Sequence, residues 1–177
     1  MALTTFQGPV RSLNGFYAQG PGSVVNVANN TNTLSLTVAA HAGKVIRTND
    51  ATLILTLPAI IATADSASAG PGSDPNTLNN IGTTYTIVID TAATAVAIKT
   101  NGTDKFIGSL LVVDTDSSGA MTGFAPAASN DVINLDGSTT GGAVGSIITI
   151  TALSSLEYLV QGVLLGSGTI ATPFADA

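Results

Sequence analysis

Thr84-Tyr85-Thr86-Ile87-Val88-Ile89-Asp90 is the stretch that decides the fold class. Tyr85, Ile87 and Ile89 alternate with Thr84, Thr86 and Asp90. A period of two puts one set on a buried face and the other on a wet face of a strand. Threonine suits the wet side, because its branched side chain fits the pleat. The same alternation recurs on either side. Leu34, Leu36 and Val38 alternate with Thr33, Ser35 and Thr37, and Ile148 and Ile150 alternate with Thr149 and Thr151.

Further strands are predicted over 43–48, 52–57, 95–100, 106–113, 131–135 and 156–164. Asn101-Gly102 and Asp136-Gly137 are hairpin signals, because both pairs tolerate the positive φ of a tight reversal. Ala39-Ala40-His41-Ala42-Gly43 allows at most one helical turn ending at Gly43. Roughly 8–10 short strands with Gly- and Pro-rich turns predict an all-β chain, either a β-sandwich or a jelly-roll-like barrel. No internal repeat of fixed period is visible, which counts against a solenoid or a propeller.

Residues 1–22 read differently. Gly8-Pro9, Asn14-Gly15 and Gly20-Pro21-Gly22 punctuate them without periodicity, as in an extended N-terminal arm. A single β domain is expected over 23–177. The arm carries Phe6, Phe16 and Tyr17, three of eight Phe plus Tyr in the chain. Aromatics on an arm need a surface to bury against. With Arg11 they are the candidate contact residues toward a neighbouring subunit or a larger assembly. The segment 62–80, with Gly70-Pro71-Gly72-Ser73-Asp74-Pro75, is a second long aperiodic stretch. Loops of that length in compact folds are commonly functional or disordered.

Composition bounds the function. The chain is 45% hydrophobic but only 9% charged, with one His and no Cys. For this mass the folded surface is roughly 7,900 Å². Five Lys plus Arg and eleven Asp plus Glu leave one charge per roughly 500 Å², sparser than on a typical soluble monomer. Coverage by other subunits is the expected reason. Without cysteine there are no disulfides and no thiolate metal sites, which fits synthesis in a reducing cytoplasm.

Residues 1–49 hold Arg11, Lys44 and Arg47 and no acid, a net +3, whereas 50–177 hold eleven acids and two lysines, a net −9. The acids are expected on an outward, solvent-facing side. The overall −6 argues against a nucleic-acid partner, and no polybasic segment suits an anionic membrane. The opening Met1-Ala2-Leu3-Thr4-Thr5-Phe6 does not read as a secretory signal. The most apolar stretch, 53–62, falls short of the roughly twenty residues that span a bilayer.

No catalytic constellation is legible, so no enzyme and no cofactor are expected. Asp114-Thr115-Asp116-Ser117-Ser118-Gly119 opens like a calcium loop, but Ala125 stands where the bidentate acid belongs. A polar turn is the expected reading, with Asp114 and Asp116 the only candidate metal ligands. His41 has no cysteine partner and no G-x-S-x-G elbow accompanies it, so it reads as a hydrogen-bonded structural residue. Gly137-Ser138-Thr139-Thr140-Gly141-Gly142 lacks the lysine and helix of a phosphate loop and reads as a flexible hairpin loop.

Phe6-Gln7-Gly8-Pro9-Val10 with Asn14-Gly15-Phe16 opens a set of phrases that runs through the chain. Leu36-Thr37-Val38-Ala39-Ala40-His41-Ala42-Gly43-Lys44 continues it into Leu55-Thr56-Leu57-Pro58. Asp131-Val132-Ile133-Asn134-Leu135-Asp136-Gly137-Ser138-Thr139-Thr140-Gly141-Gly142 and Gly166-Ser167-Gly168-Thr169-Ile170-Ala171-Thr172-Pro173-Phe174 complete it. Together they resemble small virion proteins of tailed bacteriophages, in particular the capsid decoration or cement type. This resemblance implies a β-rich homotrimer on the outer surface of the virion, bound to the major capsid protein. The implied role is to hold capsomers together against internal DNA pressure. The arm residues Phe6, Arg11, Phe16 and Tyr17 would then be the capsid or subunit contacts. A head or tail fibre or spike that touches the host surface is the alternative.

Overall fold

The computed structural model describes residues 24–62, 80–116 and 119–177. Strands are numbered along the chain. β1 (Val24–Val27), β3 (Val45–Thr48), β5 (Thr84–Ile89), β7 (Lys105–Asp114), β8 (Met121–Phe124), β10 (Ile147–Ser154) and β11 (Glu157–Gly166) form a seven-stranded sheet in the order β1-β3-β5-β10-β11-β7-β8. β2 (Thr33–Ser35), β4 (Ile54–Thr56), β6 (Val96–Lys99), β9 (Val132–Leu135) and β12 (Phe174–Ala175) form a five-stranded sheet in the order β12-β9-β6-β4-β2. The two sheets pack together as an all-β sandwich. Tyr85, Tyr158, Phe106 and a set of Leu and Ile side chains fill the core between them. Each Leu or Ile so buried contributes about 1.5–3 kcal/mol.

The first six strands alternate between the sheets. Within each sheet they stack in parallel, β1 on β3 on β5 and β2 on β4 on β6. This half of the sandwich is therefore a three-coil solenoid. Val24 pairs with Val45 and Thr33 with Ile54, an offset of 21 residues in both sheets. The next offsets are 41 (Val45 to Thr86) and 43 (Ile54 to Ala97). The segment 62–80 lies between β4 and β5 and accounts for the excess. The inward columns are Val25–Ile46–Ile87 and Leu34–Leu55–Ile98. Apolarity, not identity, is what repeats, so the sequence hides the period.

The remaining strands close the sandwich. β10 and β11 form an antiparallel hairpin with an irregularity between Ala152 and Ser154, and β8 folds back on β7. Between them β7 and β11 run parallel over ten paired residues.

Three sequence expectations change. Asn101-Gly102 does not close a hairpin, because β6 and β7 belong to opposite sheets. It makes a corner in which Asn101 Oδ1 accepts the N–H groups of Thr103 and Asp104 at 3.1 and 3.0 Å. Asp136-Gly137 likewise links strands of opposite sheets. A turn signal reports that the chain reverses, not which strand it meets next. The alternation over 33–38 stops at Ser35. Thr37 then caps a single turn, α1 (Val38–His41), its hydroxyl accepting the Ala40 N–H at 3.2 Å.

Candidate functional site

The predicted contact residues Phe6, Arg11, Phe16 and Tyr17, and the segment 63–79, lie outside the described residues. Asp114 and Asp116 sit at the β7–β8 turn. Asp114 Oδ1 accepts the Asp116 N–H at 3.2 Å, and Asp116 Oδ2 accepts the Gly168 N–H at 3.0 Å. Among the described residues no group of three or more His, Asp or Glu could hold a metal ion. No helix among them is long and apolar enough to cross a membrane.

The acids are not gathered on an outward face. Asp50, Asp104, Asp114 and Asp131 are buried, and turn N–H groups or Lys105 satisfy their carboxylates. Asp50 accepts from the backbone of Asn32 at 2.8 Å and of Thr52 at 2.9 Å, and these bonds hold its carboxyl below the usual range. Asp131 is held low first by Lys105, 2.9 Å away, and further by the Ala177 N–H.

The 137–142 loop is not a free hairpin loop. Asp136 accepts from Ser138 N at 2.8 Å, Thr139 Oγ1 at 2.6 Å and Thr140 N at 2.9 Å. Burial works to raise this carboxyl, but the three bonds outweigh it and hold the pKa at about 2. Gly137 has φ of +76°, and a Cβ there would strike the Ala93 carbonyl oxygen. Only glycine fits that approach. His41 is buried, and its Nδ1 accepts the Thr37 N–H at 2.9 Å. Burial keeps its pKa below the ordinary histidine value.

A polar cluster lies under the base of the inserted segment. Tyr158 donates its hydroxyl to the Pro58 carbonyl at 2.6 Å, and Asp104 Oδ2 accepts the Ile60 N–H at 3.0 Å. Asn80 closes the same base by accepting from Ile61 N and donating to Ala59 O, both at 2.8 Å. Burial raises Asp104 and both Tyr85 and Tyr158. The Tyr85 hydroxyl is buried without a hydrogen-bond partner. These groups brace a loop base. A hollow of about 370 Å³ lies nearby, between 105–108, 125–128 and Leu156-Glu157. Its charged residues are engaged, Lys105 by Asp131 and Glu157 by the Ser154 hydroxyl at 2.7 Å.

The outer face of the seven-stranded sheet is the largest feature without an internal role. The registers place Val88, Ile147, Val163, Leu111 and Gly123 in one row across five strands. Leu165, Val113 and Met121 form the next row. On the other side run Thr86, Thr149, Gln161 and Ser109, followed by Thr84, Thr151, Leu159 and Ile107. Leu111, Ile147 and Val163 are each about two-fifths exposed and Met121 is 62% exposed. Over β5, β10, β11, β7 and β8 no charged side chain stands within these rows. The first row continues into β3 at Arg47, beside Val88 and paired to Asp90 at 2.8 Å, and Lys105 beside Glu157 borders the last row. Sequence patterning held a signal for this face. Leu110-Leu111-Val112-Val113 and Val163-Leu164-Leu165 are unbroken apolar runs, as in strands covered on both faces.

Comparison with protein-family models, with curated proteins and with solved structures found no match to this chain.

Proposed function

We propose that this chain is a structural subunit of a tailed-bacteriophage virion. It decorates the outer surface of the capsid, binds the major capsid protein as a homotrimer and stabilises the lattice. Neither catalysis nor binding of nucleic acid or membrane belongs to this role. The observation that carries it is the broad sheet face described above, uncharged over β5, β10, β11, β7 and β8 and apolar in the rows through Ile147 and Leu165. Such a face contributes through contact area rather than chemistry. The phrases running from Phe6 to Phe174 support the virion assignment by resemblance.

One observation favours a second reading, a head or tail fibre or spike subunit that meets the host surface. Stacked parallel coils build elongated bodies by adding rungs, and the first half of this chain is such a stack. Quantifying the protein in purified particles separates the two. A copy number comparable with that of the major capsid protein supports decoration. A few copies per particle, located at a vertex or tail, supports the fibre. Absence from particles overturns both.

A further inference from the structure

We infer that the outer face of the seven-stranded sheet is where copies of this chain pack on one another. The inference rests on the structural role proposed above and names its self-association surface.

Three observations converge on a second copy as the occupant. First, β7 and β11 carry apolar side chains on both faces, and the sandwich core covers only the inner one. Second, the chain has a net charge of −6, so two copies repel on approach. Over β5, β10, β11, β7 and β8 the rows hold no acid and no base, and the adjoining Arg47 is already paired to Asp90, so like copies meet there without opposing acids and without burying an unpaired charge. The intervening polar groups are neutral, and two of them already satisfy each other, Thr84 Oγ1 lying 3.0 Å from Thr151 Oγ1. Third, the size fits. The rows hold sixteen side-chain positions, which at strand and row spacings of about 4.8 and 6.8 Å cover roughly 520 Å² per copy. Two such patches give roughly 1,000 Å², the lower size of a specific interface.

The test uses the isolated full-length protein without capsids, so it is independent of whether the protein occurs in particles. Sedimentation velocity up to ~100 μM is expected to show an oligomer. Val163→Lys and Leu111→Lys place a charge at the centre of the face and are expected to weaken association by roughly 100-fold or more. Asn26→Lys, at the β1 end of the same sheet, is expected to leave association unchanged. Circular dichroism and thermal melting verify that each variant is folded, and Val163→Ser is the milder substitute should a lysine variant unfold. A monomeric wild type overturns the inference. So does an oligomer that the Val163 and Leu111 variants leave intact, which would leave the face to the capsid lattice or the host surface.

Discussion

Asp50 accepts the backbone N–H of Asn32 at 2.8 Å and thereby ties the turn of the second coil to the turn of the first. The same carboxylate holds its own turn through Thr52 N and Thr52 Oγ1. This buried acid thus helps to align two coils, beside the β1–β3 and β2–β4 ladders. Removing it leaves the N–H groups of Asn32 and Thr52 without their acceptor. Asp50→Ala is expected to cost about 2–4 kcal/mol. Differential scanning calorimetry should show a Tm lower by roughly 6–12 °C. Asp50→Asn, which keeps an acceptor oxygen, is expected to lose less.

Asp136 contributes to the acid limit of stability. Its folded pKa of about 2 lies below the ordinary aspartate value of 3.8. A depressed carboxyl stabilises the fold above its unfolded pKa, and that stability is lost as pH falls through the folded value. Discounted for partial solvent contact, the contribution at neutral pH is about 1–2 kcal/mol. Urea titrations between pH 6 and pH 2 are expected to show wild type losing stability below about pH 4. Asp136→Asn is expected to be weaker at pH 6 and to converge on wild type near pH 2. A parallel pair of curves would refute the assignment.

Asp104 behaves in the opposite sense. Burial raises its pKa, opposed by the Ile60 N–H. Its ionised form therefore burdens the folded state at neutral pH, and protonation relieves this as pH falls. Asp104→Asn retains an acceptor for Ile60. It is expected to match or exceed wild-type stability at pH 7, with any advantage shrinking on acidification. A large loss at pH 7 would show that the carboxylate's charge is itself needed to hold the base of the inserted segment.

Gly108 stands mid-strand in β7 with φ of +107°, and a Cβ there would strike the Val160 carbonyl oxygen. Neither backbone can retreat within the ten-residue parallel pair. Gly108→Ala is expected to cost about 2–4 kcal/mol or to prevent folding. Gly123 is the internal control. It lies in the adjoining strand β8, and its nearest obstacle is the Leu111 side chain at 3.4 Å. Gly123→Ala should stay within about 1 kcal/mol of wild type.

Chelation tests the Asp114–Asp116 turn. Asp116 Oδ2 is engaged by Gly168 N, so the turn is complete without a cation. EDTA is expected to leave the Tm unchanged. A fall of several degrees that calcium reverses would place a metal between these two aspartates.

The period-two text around Tyr85, Ile87 and Ile150 determined the strands, because alternation is a local consequence of the pleat. The runs 43–48, 52–57, 95–100, 106–113, 131–135 and 156–164 are legible as further strands. The sparse charge and missing cysteine are likewise properties of the sequence alone. Only the tertiary structure decided which strand lies beside which. Asn101-Gly102 announces a reversal, but whether β7 returns to the sheet of β6 depends on packing across the sandwich. The 21-residue coil offset was invisible, since each stacked position needs only an apolar or turn-compatible side chain. Val27, Thr48 and Ile89 share one column without sharing a residue type. The acids were misplaced for a related reason. A carboxylate looks solvent-seeking in sequence, yet Asp50 and Asp136 lie where coil turns point several N–H groups at one spot. The sheet face, finally, is made of side chains from β5, β7, β8, β10 and β11. They are distant along the chain, and the registers of the folded sheet alone bring them into rows.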